Sequence, residues 1–215
     1  MYLFFDTETT GLPKKKNAPL DDLDNWPRVI QIGWLEYDKD GNEISKGDYI
    51  IKPNGFDIPE QSARIHKITT EIANEKGEDL RKSLEVFNSI ISKSEYLVAH
   101  NIEFDEMVLG AEFKREYIKT DLFEKKRICT MKSSIDLVKI PSDKGGYRYP
   151  GLSDLHHKLF GEGFTGAHNA AVDIAITAKC FWEMKDKGYL NIFGDEAKSE
   201  QNIPQSDPNQ DLSLF

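Results

Sequence analysis

The chain opens on Met1-Tyr2-Leu3-Phe4-Phe5, an unbroken apolar run that stops at Asp6 and gives way to Gly11 and Pro13. Such a run, without polar alternation, reads as a strand buried on both faces. It constrains the fold more than any other stretch, because a strand of this kind belongs in the middle of a sheet with a packed layer on each side. Val29–Tyr37 reads as a second strand, Asp40-Gly41-Asn42 as a hairpin turn, and residues 43–52 as a returning third strand. Between the first two strands, residues 13–27 are polar, with Lys14–Lys16 followed by Asp21, Asp22 and Asp24. They read as a loop insertion.

Further along, residues 57–75 suggest short helices and turns. Residues 79–93 place Leu80, Leu84, Phe87, Ile90 and Ile91 at helical spacing. A short strand over Tyr96–Ala99 precedes a helix over 103–117, a last strand over 127–130 and a helix over 131–138. Residues 142–150 form a Gly/Tyr loop, and helices follow over 151–160 and 169–185. Three antiparallel strands and then alternating helix and strand predict an α/β fold with a mixed sheet.

Composition narrows the function classes. The 215 residues carry a net charge of −9, which argues against a protein that coats nucleic acid by bulk electrostatics. It leaves nucleic acid open as a substrate, since bound cations and local basic clusters offset the global sign. With a mean hydropathy of −0.55 and no apolar stretch near the ~20 residues of a membrane span, no membrane partner is expected. Without a secretory pattern at Met1–Phe5, the expected setting is cytoplasmic. Cys129 and Cys180 read as free, buried thiols rather than a disulfide framework.

Acids stand at the ends of these elements. Asp6 and Glu8 lie two apart at the end of the first strand, which puts both carboxylates on one sheet face. Like charges so close call for a proton or a cation. Asp105 falls in the first turn of a helix, where an acid also simply complements the dipole. Asp173 forms an i, i+4 stripe with Asn169 and Thr177 among apolar neighbours, either a narrow solvent-facing stripe or a costly carboxylate awaiting a partner. His168 precedes that helix. Oxygen-only acids suit a hard ion such as Mg²⁺ or Mn²⁺. Zinc-type Cys/His spacing, a glycine-rich phosphate loop and a nucleophile elbow are all missing.

The string Asp6-Thr7-Glu8-Thr9-Thr10-Gly11-Leu12 resembles the first motif of the DEDD 3′–5′ exonucleases, most closely the proofreading branch of the DNA polymerase III epsilon subunit. His100-Asn101 with Phe104-Asp105 matches the second motif, and His168-Asn169-Ala170 with Asp173 the third. Ile65-His66-Lys67-Ile68-Thr69, Cys129-Thr130-Met131 and Leu152-Ser153-Asp154-Leu155 are similar to strings that family members carry in the gaps. The resemblance runs from about Met1 to Lys187, and His168, five positions before Asp173, places the chain in the His (DEDDh) branch. It implies a ribonuclease H-like, five-stranded mixed sheet flanked by helices. It also implies two Mg²⁺ ions, replaceable by Mn²⁺, on Asp6, Glu8, Asp105 and Asp173, with Asp6 bridging and His168 as general base. Thr7, Thr9, Gly11, Leu12, His66, Asn101, Phe104 and His168 would hold the terminal nucleotide, Leu12 as an apolar wedge beside the last base. For Leu12 and Phe104 core packing is the plain alternative. The insertion over 13–27 is longer than in compact relatives; Lys14–Lys16 either touch phosphate or form a solvated charge run.

On this reading residues 1–190 form the exonuclease domain, and residues 191–215 an acidic, disordered tail. The tail ends in Gln210-Asp211-Leu212-Ser213-Leu214-Phe215, which resembles a bacterial sliding-clamp-binding peptide through Gln210, Leu212, Leu214 and Phe215. As a random coil it would reach ~25 Å. No extended polymerase-binding tail is recognisable, although a DNA polymerase remains a partner the family suggests. The expected activity is release of nucleoside 5′-monophosphates from single-stranded or frayed DNA 3′ ends in proofreading or repair. Trimming of RNA 3′ ends is the second enzyme reading, and an inactive clamp- or nucleic-acid-binding module the non-enzyme one.

Overall fold

The structure, a computed structural model, describes residues 1–190. The sheet has five strands: β1 (Tyr2–Thr9), β2 (Val29–Tyr37), β3 (Glu43–Ile50), β4 (Tyr96–Ala99) and β5 (Lys126–Cys129). Their order is β3-β2-β1-β4-β5, with β1 in the centre. The β1–β2 and β2–β3 pairs are antiparallel, and the β1–β4 and β4–β5 pairs are parallel. This is the mixed α/β sheet expected.

The alternation of β1 sorts its side chains into two cores. Leu3 and Phe5 point to one face, against Leu84, Phe87 and Ile91 of α3 (Leu80–Lys93) and Val108, Leu109 and Phe113 of α4 (Ile102–Arg115). Tyr2 and Phe4 point to the other, against Ala170, Ile174, Ala178 and Phe181 of α8 (Ala170–Asp186). Helices on both faces explain why the run Tyr2–Phe5 carries no polar residue. The short helices α1 (Glu60–His66) and α2 (Thr70–Lys76) close over Ile30 beside the sheet.

Three local features bear on the site, one of them a departure from the sequence expectation. The first strand carries Asp6 and Glu8 at its end, as expected, and runs through Thr9, paired with β2 up to Thr9↔Val29. Its pairing with β4 covers only Tyr2 to Phe4. The helix expected over 131–138 is two short pieces, α5 (Thr130–Ser133) and α6 (Ile135–Val138), parted at Ser134, whose hydroxyl bonds back to the Thr130 and Met131 carbonyls. Of the two readings of the stripe Asn169, Asp173 and Thr177, the solvent-facing one fails: Asn169 caps α8 by accepting from the Val172 amide, and Thr177 is buried. Helix α7 (Leu152–Phe160) packs beside α8 through Leu155, Cys180 and Met184. Cys129 and Cys180 are free thiols, as expected, but only Cys180 is buried; Cys129, at the end of the edge strand β5, is half-buried. No helix among the described residues is long and apolar enough to cross a membrane.

Candidate active site

Because β1 outruns β4, its residues from Phe5 onward face a gap at the end of the parallel half of the sheet. Sites collect at such strand ends in open α/β sheets. Asp6 and Glu8 continue the face of Tyr2 and Phe4, so both point toward α8. Asp173, in the first turn of α8, meets them there: Asp6, Glu8 and Asp173 offer carboxylate oxygens within 4.8 Å of one another. Gly33, opposite Asp6 in the β1–β2 register, makes the meeting fit. A Cβ at Gly33 would overlap Ile174 and press on Ala170. The bare backbone lets the start of α8 lie close to the sheet.

Thr7 points the other way, toward α4. Its amide and its hydroxyl both donate to Oδ1 of Asp105, at 3.0 and 2.7 Å. Asp105 is 3% exposed. It stands near Asp6 but lies outside the three-oxygen group, held on the α4 side by Thr7. The four acids therefore converge as three plus one.

Burial and mutual repulsion dominate their chemistry. Burial, then the charges of Asp105, Glu8 and Asp173, hold Asp6 well above the usual carboxylate range. Glu8 is pushed up to about 8 by burial, then by Asp173 and Asp105. Asp105 rises to about 7 through burial, opposed by its Thr7 bonds. Asp173 is raised by burial and partly relieved by the His168 amide, which donates to its Oδ2 at 2.8 Å. Among the described residues none of the four is paired with Lys or Arg. Buried carboxylates without a counter-charge, all oxygen donors, fit a hard divalent cation.

The acids floor a cleft of about 1230 Å³. His168 lines it with its side chain exposed and its backbone at φ 65°, beside Gly166 at φ 86°. Thr7, Thr9, Gly11, Leu12, Asn101 and Phe104 line it as well. Leu12 is 40% exposed, an apolar side chain at the mouth rather than in the core. Phe104 lines the cleft while also packing against the main core, so both readings of it hold. His66 is buried. Its Nδ1 accepts from the Ile68 amide at 3.1 Å, so the proton sits on Nε2, which lies near the Thr9 carbonyl without reaching hydrogen-bond geometry. Burial lowers its pKa.

Several lining residues had no site role assigned from the sequence. Met131 and Lys132 come from α5, Arg148, Tyr149 and Pro150 from the loop before α7, and Phe164 from the loop after it. Their traces were the family-like string Cys129-Thr130-Met131 and the Gly/Tyr character of 142–150. His100 ties this wall to the sheet, with Nδ1 3.0 Å from Thr130 Oγ1 and Nε2 3.1 Å from the Pro150 carbonyl. Gln210, Leu212, Leu214 and Phe215 lie outside the described residues.

A family model for exonucleases of the RNase T type matches residues 3–181. The chain belongs to the exonuclease family. The match bears out the resemblance to the DEDD 3′–5′ exonucleases, and it spans all five motif residues. Among solved structures, the chain is similar to Escherichia coli exonuclease I in complex with a dT13 oligonucleotide (TM-score 0.68, 20% identity, 86% of this chain and 40% of that one). A product-bound exonuclease I gives a TM-score of 0.66 at 19% identity, over 86% of this chain and 43% of that one. A zinc-bound E. coli exonuclease I–single-stranded DNA complex gives 0.68 at 20%, over 86% and 40%. At such identity the likeness carries the fold, which is the one expected. The chain spans about 40% of the length of these structures. No curated protein matches it.

Proposed function

We propose that the chain is a divalent-metal-dependent 3′–5′ exonuclease that releases nucleoside 5′-monophosphates from single-stranded or frayed DNA ends. The observation that carries this is the convergence of Asp6, Glu8 and Asp173 within 4.8 Å, with Asp105 beside them, on the floor of a cleft that His168 also lines.

In this reading Asp6, Glu8, Asp105 and Asp173 hold Mg²⁺, or Mn²⁺ in its place. Bound divalent ions supply a lowered pKa for the attacking water and charge stabilisation at the leaving 3′ oxygen. His168 takes the proton of that water, for which an imidazole on the open cleft is suited. Asp173, by accepting from the His168 amide, fixes the loop that carries the base relative to the acids. Leu12 and Phe104 give the terminal base apolar contact, while Thr7, Thr9, Gly11 and Asn101 line its place. His66 lines the cleft beside Thr9, with its buried Nε2 near the Thr9 carbonyl.

DNA is favoured over RNA because solved neighbours are complexes with dT13 and dA16 oligonucleotides. We place the enzyme in proofreading or repair, with residues 1–190 as the catalytic domain and Gln210, Leu212, Leu214 and Phe215 as a clamp-binding peptide read from sequence. The test is Mg²⁺-dependent digestion of matched 3′-labelled DNA and RNA oligonucleotides, with Asp6→Ala as control. Mononucleotide release from DNA that the substitution abolishes supports the proposal. Faster release from RNA moves the enzyme to RNA trimming, and no release from either overturns the catalytic reading.

A further inference from the structure

Residues 13–27 form neither helix nor strand, yet they are tied down at many points. The Lys14 amide donates to the Asn25 carbonyl at 3.1 Å and the Lys15 amide to Asn25 Oδ1 at 2.6 Å; Asn25 Nδ2 donates back to the Lys15 carbonyl at 3.1 Å. Asn25 is 4% exposed. Trp26 Nε1 donates to the Pro19 carbonyl. From α4, Arg115 donates to the Leu23 and Trp26 carbonyls at 2.6 and 2.8 Å. At the end of the segment Arg28, Arg115 and the Val29 amide converge on the buried carboxylate of Glu112. The segment is thus a built wall, with its backbone ordering already in place before any ligand arrives.

Asp21 pairs with Lys114 of α4. Lys14, Lys15 and Lys16 are exposed, and none has a carboxylate partner among the described residues. Lys16 and Asn17 line the main cleft. Lys14 lines a hollow of about 220 Å³ with Arg28 and Asp24, and this hollow shares Thr10, Gly11 and Leu12 with the cleft. The other Lys and Arg side chains on the cleft are already paired: Lys132 with Glu103, and Arg148 with Asp154 at 3.6 Å. The cleft itself, about 1230 Å³, exceeds the ~300–1,000 Å³ that takes one drug-sized ligand, and a mononucleotide is of that size. There is room for more than the terminal nucleotide, and the unpaired Lys16 stands on its wall with Lys14 in the adjoining hollow.

We propose that segment 13–27 is a preformed wall for the nucleotides preceding the 3′ end, with Lys16, and Lys14 across the Thr10–Leu12 ridge, contacting their phosphates. This rests on the exonuclease reading and adds to it a subsite that lets an acidic body hold a polyanion. The test compares wild type with the double variant Lys14→Ala/Lys16→Ala on a thymidine octanucleotide and on the p-nitrophenyl ester of thymidine 5′-monophosphate, which has no preceding nucleotide. We expect the KM for the octamer to rise about tenfold more than the KM for the ester. The slope of log(kcat/KM) against log[salt] for the octamer should become shallower by about 1.4, for two single-strand phosphate contacts. Equal changes on both substrates, or an unchanged salt slope, overturn the wall while leaving the exonuclease standing. A wild type idle on both substrates overturns the exonuclease reading and the wall with it.

Discussion

Glu8 owes its chemistry to its place. As a free side chain it would titrate in the ordinary carboxylate range; inside the cleft, burial and the charges of Asp173 and Asp105 push it up to about 8. A group that binds its proton more tightly when folded stabilises the fold fully below its unfolded pKa, and that stability is lost as pH rises through the folded value. Asp6, Asp105 and Asp173 shift in the same direction. In EDTA, therefore, the denaturation midpoint should fall between about pH 4.5 and 8, and added Mg²⁺ should restore it most at the alkaline end. A midpoint that rises over this interval in EDTA would contradict the cluster. For catalysis, Asp6→Ala and Asp173→Ala should each lower kcat by about 10³-fold or more, as loss of an electrostatic anchor at a reacting centre does. Both variants should be no less stable than wild type in EDTA, because each removes a repelling charge. Full activity in either would sink the assigned roles.

At the level of elements, the site depends on how closely α8 approaches β1 and β2. Gly33→Ala puts a methyl where Ile174 and Ala170 pack, so it should cost ~1–3 kcal/mol of stability by overpacking. It should also depress kcat by moving Asp173 and His168 away from Asp6. Thermal melts and single-turnover rates on the variant read the two effects separately. The opposite wall hangs on His100, whose pKa burial depresses to about 4. Since the folded state holds this imidazole neutral, its contribution is present at neutral pH and lost as pH falls from ~6.5 toward about 4. His100→Gln should remove that acid-side loss, visible as a shallower fall of the variant's midpoint with acid than wild type shows over that interval. Much of this level was legible beforehand. Val29–Tyr37 and Tyr96–Ala99 fall where alternation and apolar runs place them. The Asp40-Gly41 turn was legible because Gly41 sits at φ 87°. The break at Ser134 was not, because a hydroxyl bonding back to the helix carbonyls leaves the helical spacing of apolar residues intact. The wall from Arg148 to Pro150 was equally hidden, since its residues matter only for what they face.

For the whole molecule, a net charge of −9 sets a long-range field that repels DNA, so the cleft must bind by local means. Removing Gln210–Phe215 from the full chain should abolish capture by an immobilised bacterial clamp while mononucleotide release from a free oligonucleotide changes less than twofold. Capture that survives the deletion would discard the clamp peptide. The chain's order by itself determined the α/β class, the central buried strand and the identity of the five motif residues. The first two follow from periodicity and turn chemistry, and the last from strings that resemble the family's motifs. Only the tertiary structure decided that Asp6, Glu8 and Asp173 meet while Asp105 is drawn aside by Thr7, a contact across 98 residues of chain. Such a contact depends on strand order, on β4 stopping short of β1, and on a glycine that lets α8 come close. Spacing along a chain says which face a side chain takes, but the distance between two faces exists only once the layers have packed.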